Sequence, residues 1–170
     1  MTAKYPVTPE RVTMYDSVNA ASLPAGTIRA AGYINGDYAS HAAIVQRFPR
    51  ARVFAIDVLG DAWHTASILD YEAGNPAYKN PALVHRFISN RNQAVPETAC
   101  IYCDAADLDD VEDYAAGLWH VLWVANWGLN GTAGQSLTGT RTPAGNLIVA
   151  TQLQNNQTAN WDMSDTLVSW

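Results

Sequence analysis

Short runs of apolar residues recur along this chain and constrain its fold more than any other feature. Two of the clearest, Arg52–Ile56 (RVFAI) and Val121–Ala125 (VLWVA), are apolar almost throughout and do not alternate with polar positions. Near-continuous apolar runs are typical of strands that are buried on both faces of a parallel sheet. Five further runs have the same character: 12–15, 28–34, 66–69, 99–102 and 147–151.

Helix-like stretches lie between several of these runs. Residues 40–48 carry apolar side chains at helical spacing and stop before Pro49. The pair Asn80-Pro81 predicts an N-cap and a first helical position for a helix over 82–91. Acidic residues open a third helical stretch, 107–117. Alternation of strands and helices predicts an α/β fold with right-handed crossovers.

The length of the chain limits how complete a barrel of such units can be. Seven or eight strands suggest a β/α barrel, but a full one takes about 250 residues, and this chain has 170. The gap from Asp57 to Ala66 is too short for a helix and its two loops. We therefore expect one domain, 1–170, folded as a reduced or irregular β/α (TIM-like) barrel with some crossover helices missing. The stretch Gly128–Gly145 is rich in Gly, Thr, Ser and Asn and predicts a long surface loop or hairpin.

The charge balance excludes two classes of partner. Sixteen acidic residues against ten basic ones give a net charge of −6, so the chain lacks the basic face that nucleic acid or an anionic membrane would need. No apolar run reaches the roughly 18 residues of a membrane span, and the N-terminus has no signal-peptide core. We expect a protein made in the cytoplasm without a signal peptide, transmembrane span or membrane insertion.

The two cysteines do not predict a metal or redox site. Cys100 and Cys103 form a C-x-x-C pair, but they lie in a run that predicts a buried strand, where residues three apart face opposite sides. The four histidines are scattered along the chain. We expect two small core residues and no metal site of this kind.

Polar residues follow nearly every apolar run at once. In parallel β/α folds the carboxyl ends of the strands carry the functional site, so we expect these side chains to converge on one rim. The alternative is that each acid only caps a following helix or turn. Capping fits the position of Asp104 best, and it also fits that of Asp37. The residues at these positions are Asp16, Asn35, Asp37, Asp57, Asp70, Glu72, Asp104, Asn126 and Gln152.

Capping does not explain Asp70 and Glu72. As residues i and i+2 of a strand they share a face, and two close carboxyls repel each other, so one of them holds a proton near neutral pH. Glycoside hydrolases cleave a glycosidic bond with such a pair, in which the protonated carboxyl is the general acid and the ionised one acts on the sugar or on water. A hard cation site for Mg²⁺ or Ca²⁺ and a structural role remain as alternatives.

Aromatic residues flank the same rim and would stack on sugar rings. Individually an aromatic residue belongs more often to the core, but Trp127 and Trp161 lie in polar, loop-like surroundings. We expect substrate to be bound by a set of these aromatic residues and strand-end polar residues. They are Tyr33, Asp37, Asp57, Tyr102, Trp127, Gln152 and Trp161.

The order of these motifs resembles the family-25 glycoside hydrolases, which are lysozyme-type muramidases. It is most similar to the compact related domains of actinobacteria and their phages. The resemblance spans about 12–170 and rests on an ordered set of short motifs. They are Met14-Tyr-Asp16, Gly32-Tyr33, Leu69-Asp-Tyr-Glu72, Ile101-Tyr102, Leu122-Trp-Val-Ala125, Ala150-Thr-Gln152 and Trp161-Asp162.

The resemblance implies a peptidoglycan hydrolase, an N-acetylmuramidase, on an irregular β/α barrel. Glu72 matches the general acid, Asp70 the carboxylate that stabilises or attacks, and Asp16 and Asp162 two further rim acids. The reaction needs no metal or organic cofactor. The implied partner is bacterial peptidoglycan. The implied setting is a phage endolysin or a virion-associated enzyme, which acts on the extracellular cell wall after release or as part of a virion. Other virion or lysis proteins would then be further partners. The alternative is a catalytically inactive wall-binding or virion-structural module of the same fold.

Overall fold

A closed eight-stranded barrel forms the centre of this protein. The computed structural model describes residues 9–127, 133–156 and 160–170. In chain order the strands are β1 (Arg11–Asp16), β2 (Arg29–Tyr33), β3 (Arg52–Asp57), β4 (Ile68–Tyr71), β5 (Cys100–Asp104), β6 (Val121–Ala125), β7 (Leu147–Asn156) and β8 (Trp161–Leu167). Each strand pairs with the next, and β8 closes the barrel on β1.

The direction of the strands changes only at the last one. Neighbours from β1 to β7 are parallel, whereas β8 is antiparallel to both β7 and β1. Each of the seven apolar runs forms a strand, as expected for strands with both faces buried. The eighth strand does not come from such a run, because four of its seven residues, 162, 164, 165 and 166, are polar.

Among the described residues, three α-helices pack on the outside of the barrel. They are α1 (His41–Arg47), α2 (Pro81–Ala94) and α3 (Leu108–Tyr114). The predicted cap of α2 is confirmed, because the Asn80 side chain accepts a hydrogen bond from the Leu83 amide at 3.2 Å. Close packing of α1 on β2 requires a glycine at position 32, where a Cβ atom would lie 2.8 Å from Ile44 Cδ1 and 2.9 Å from His41 Cα.

The predicted shortage of crossover helices is seen between β3 and β4. Residues 58–67 are all described, and they join the two strands through turns without an α-helix. The molecule is therefore an α/β protein with a closed barrel and a few helices, and helices do not follow every strand.

The predicted loop 128–145 is described only in part, since 128–132 lie outside the described residues. The remainder is tied to the last two strands. The Leu137 amide donates to Thr151 Oγ1 at 2.9 Å, and Thr138 Oγ1 donates to the Asp165 carbonyl at 2.8 Å.

The core has an inner and an outer layer. Cys100 belongs to the cluster that fills the barrel, which includes Met14, Ile68 and Trp123, whereas Cys103 belongs to the cluster under α2 and α3. Both cysteines are free and buried, so the expectation of two core residues on opposite faces of β5 is confirmed. In the described part of the chain, no helix is long and apolar enough to cross a membrane.

Candidate active site

Four carboxyl groups lie at one end of the barrel. Asp16 ends β1, Asp70 lies in β4 and Glu72 directly follows β4. Asp162 lies near the start of β8, and because β8 is antiparallel its start meets the carboxyl ends of the parallel strands. Asp162 is the register partner of Asp16. The barrel thus brings together the four acids that the sequence analysis assigned to catalysis.

Asp16 is held in a site that disfavours its charge. It is only 4% exposed, and within the described residues its Oδ2 atom has no hydrogen-bond partner. Burial raises its pKa well above the usual value, and the carboxylates of Asp162, Glu72 and Asp70 raise it further. The three other acids are therefore close enough to Asp16 to act on its charge.

Asp70 and Glu72 form a pair in which both groups favour the protonated state. Burial and the nearby Glu72 raise the pKa of Asp70 to about 8, although the Asn75 side chain and the Glu72 amide hydrogen-bond to it. Burial also raises the pKa of Glu72. Among the described residues, no basic side chain lowers the pKa of Asp70 or Glu72. The pair therefore keeps a proton near neutral pH.

This finding differs from one detail of the sequence analysis. The resemblance implies that Asp70 is ionised and Glu72 is the acid, but Asp70 is the more buried carboxyl, at 2% exposure. Asp70 therefore also favours its protonated form near neutral pH. Asn75, which lowers its pKa, was missed by the sequence analysis because it lies in a loop, where spacing carries no information on what a side chain contacts.

Tyr102 lies between Glu72 and Gln152. Its hydroxyl contacts Gln152 Oε1 and Glu72, and the contact with Glu72 lowers the pKa of that carboxyl. Tyr33 lies in the same cluster, since burial and the Asp16, Asp70 and Glu72 carboxylates raise the pKa of its phenol. Tyr33 and Tyr102 thus lie among the carboxyls, and Gln152 contacts Tyr102.

The carboxyls lie in a part of the barrel from which water is excluded. Trp123 is 1% exposed and packs against Tyr102, its register partner on β5, with 4.7 Å between the two ring centroids. Its indole Nε1 donates to Ser164 Oγ at 3.0 Å. Burial is the main cause of the raised pKa values of Asp16, Asp70 and Glu72.

The remaining residues predicted to bind substrate differ in where they lie. Trp161 packs edge-on against Tyr15, with 5.2 Å between ring centroids, in the outer cluster with Leu23 and Ile44, so it faces away from the barrel interior. Asp37 is exposed in the turn after β2. Trp127 lies two residues after the end of β6 and is 44% exposed, which leaves it available to a ligand.

Asp57 organises its own loop. Its Oδ1 atom accepts hydrogen bonds from the Asn35 side chain at 2.7 Å and from the Leu59 and Gly60 amides at 3.0 and 2.7 Å. Its Oδ2 atom accepts from the Ala62 amide at 2.7 Å. This is the capping alternative, and it replaces the expected contact with substrate. Asp104 shows the reverse, because its side chain caps nothing and its charge raises the pKa of Glu72.

The Asp57→Ala variant should be destabilised by roughly 2–4 kcal/mol, because several amides of the β3–β4 loop would lose their acceptor in a buried place. Urea unfolding measures this loss. Asp57→Asn should recover part of it, since the amide oxygen still accepts. If Asp57→Ala unfolds like the wild type but binds substrate less well, Asp57 contacts the ligand and the loop role is wrong.

The chain matches no protein-family model, and no curated protein or solved structure is significantly similar to it. Among the described residues, no group of three or more His, Cys, Asp or Glu side chains has an arrangement that could hold a metal ion.

Proposed function

We propose that this protein is a glycoside hydrolase of the lysozyme type, an N-acetylmuramidase that cleaves the glycan strand of peptidoglycan. One observation carries the proposal. Asp70 and Glu72 share one end of a closed barrel with Asp16, and all three have a pKa raised by burial and by one another or by nearby acids. A cluster of acids that retains protons can donate one to a glycosidic oxygen and still offer a carboxylate to the sugar cation.

In this proposal Glu72 is the general acid. It is the less buried member of the pair, so it lies nearer the ligand, and its proton passes to the glycosidic oxygen as the bond from that oxygen to the sugar's anomeric carbon breaks. The Glu72 carboxylate left behind can then accept a proton from the water that completes hydrolysis.

Asp70 would stabilise the positive charge that develops on the sugar. The free pair shares its proton between two positions, and positive charge near Asp70 favours the arrangement in which Asp70 is ionised and Glu72 is protonated. Substrate would thus shift the pair toward its active form. Asp162, on β8, adds negative potential at the same place, whereas the neighbouring Asp16 favours its protonated form because burial raises its pKa.

The surroundings supply contacts that suit a sugar. Trp127 offers an exposed aromatic face just after β6, whereas the buried Tyr102 and Gln152 hydrogen-bond to each other and support the site from within the barrel. The closed barrel with its six parallel strand pairs supports the irregular TIM-like fold that the family resemblance implies. Peptidoglycan as substrate, and a phage endolysin or virion-associated enzyme as the biological setting, rest on that resemblance.

The decisive experiment is digestion of purified Gram-positive cell walls, including actinobacterial walls, followed by mass spectrometry of the soluble products. Muramidase activity predicts fragments that carry N-acetylmuramic acid at the new reducing end. Fragments with N-acetylglucosamine there, or cleavage of peptide bonds only, would contradict the proposal. Wall binding without any cleavage by the folded protein would instead support the inactive binding module.

A further inference from the structure

Two arginines face each other at the end of the barrel opposite the carboxyls. Arg29 begins β2, Arg52 begins β3, and the two are register partners in the parallel pair. Both guanidinium groups lie over the Phe54 ring, with Cζ atoms 5.8 and 4.8 Å from its centroid. Like charges directly opposite each other on one face of a sheet destabilise it.

The positive charge at this end is not balanced by nearby acids. Within 9–127, 133–156 and 160–170, no carboxylate lies within ion-pair distance of Arg29, Arg52 or Arg91. Arg29 is 7% exposed and donates only to neutral oxygens, those of Thr166, Leu167 and Val168. In a chain of net charge −6, such a grouping costs stability unless an anion compensates it.

A cavity of about 580 Å³ opens beside these arginines and has the size of a small-molecule site. Arg52 and Arg91 both line it, together with Glu97, His41 and Trp170. The Arg52 guanidinium makes no hydrogen bond to the described residues and contacts only the Phe54 ring. Arg91 uses Nε and Nη1 to bind Thr98 Oγ1 and the Trp63 carbonyl, which leaves its Nη2 donors for a ligand.

The rest of the wall suits a ring that carries hydroxyl groups. Trp170 stacks on Phe54 at 4.4 Å between ring centroids with 13° between the planes, and Trp119 is 42% exposed. Both tryptophans line the cavity beside hydroxyl groups of Ser67 and Thr98. Aromatic faces with hydroxyl donors and acceptors around them can hold a sugar ring while guanidinium groups bind an attached anion.

We propose that this cavity binds a phosphorylated sugar, with the phosphate between Arg52 and Arg91 and the sugar ring against Trp119 or Trp170. Phosphate suits the place because each guanidinium can bind two of its oxygens. The site lies at the opposite end of the barrel from Glu72 and does not rest on the proposed muramidase activity.

The test is an NMR titration of the ¹⁵N-labelled full chain with N-acetylglucosamine 6-phosphate, followed at the indole N–H signals. We expect saturable shifts at Trp119 and Trp170, and no saturable shift of these two signals with unphosphorylated N-acetylglucosamine. Arg52→Gln should weaken the affinity at least about tenfold, the typical loss of a charge-assisted hydrogen bond. Because the Arg52 side chain forms no hydrogen bond with the described residues, we expect this variant to fold.

Arg86→Gln is the matched control, since Arg86 is exposed on α2 and does not line the cavity. It should bind like the wild type, and so should Glu72→Gln. A glycerol-phosphate polymer that displaces the sugar phosphate, as seen at the same two signals, would identify a phosphate polymer as the ligand. If the polymer does not compete, the ligand is a soluble sugar phosphate. Equal affinity for the two sugars, or wild-type affinity in Arg52→Gln, would overturn the proposal.

Discussion

Glu72→Gln should lower the rate of glycan cleavage by about 10²–10⁴-fold, the usual contribution of a general acid. Glutamine has nearly the shape of glutamic acid but has no proton to give to the leaving oxygen. The barrel should remain intact, because Glu72 lies beyond the end of β4 and is not part of the apolar core. The measurement is the initial rate of reducing-end release from purified cell walls.

The control for this substitution is Glu10→Gln, the same chemical change at an exposed residue just before β1. It should retain the wild-type rate, and both variants should give the wild-type circular dichroism spectrum. Wild-type turnover by Glu72→Gln would exclude Glu72 as the acid. Loss of activity in both variants would point to a fault of folding and not of chemistry.

Asp70→Asn should make the protein more stable at pH 8, by about 3–5 kcal/mol, while it removes most of the activity. The native pKa of Asp70 is about 8, whereas an unfolded Asp has a pKa near 3.9. Between these values the native state binds more protons than the unfolded state, so stability falls as the pH rises from about 4 to 8. Below about pH 4 both states are protonated, and Asp70 contributes no further change.

Urea unfolding at several pH values between 5 and 8 measures this effect. The wild type should lose stability across the range, and Asp70→Asn should lose much less, with Asp16 supplying the remaining slope because its pKa is also raised. Asp37→Asn is the control, since Asp37 is exposed, and it should follow the wild type. Parallel curves for Asp70→Asn and the wild type would show that Asp70 is ionised in the folded protein.

The buried carboxyls of this site lower the stability of the folded protein. Burial raises the pKa of Asp16, Asp70 and Glu72, which gives them protons to donate, and the same burial destabilises their charged forms. A substitution that relieves this cost should therefore stabilise the molecule and impair it at once, as is expected where active sites store unfavourable electrostatics.

The sequence alone predicted the strands that have both faces buried. Arg52–Asp57 and Val121–Ala125 are apolar almost throughout, and local composition is enough to recognise such a strand. It also predicted the cap at Asn80 and the absence of a helix between β3 and β4, because these depend on neighbouring residues and on loop length.

The eighth strand shows where local pattern fails. Trp161–Leu167 contains more polar than apolar residues, and its side chains Ser164 and Thr166 point inward because Trp123 and Arg29 offer them hydrogen bonds there. Partners that are more than forty residues away in the chain leave no local signal. For the same reason the sequence could not tell that Trp161 faces outward against Tyr15.

The sequence by itself determined which acids follow the strands, and it predicted that Asp70 and Glu72 lie close together. Glu72 lies just beyond the end of β4, so its final position depends on the loop as well as on the strand. Only the tertiary structure decided what each acid does. Asp57 is turned to the amides of its own loop, whereas Asp16 and Asp70 are enclosed with one oxygen each unpartnered among the described residues. The physical reason is that a carboxyl's pKa depends on the water, charges and donors around it, and folding brings those from distant parts of the chain.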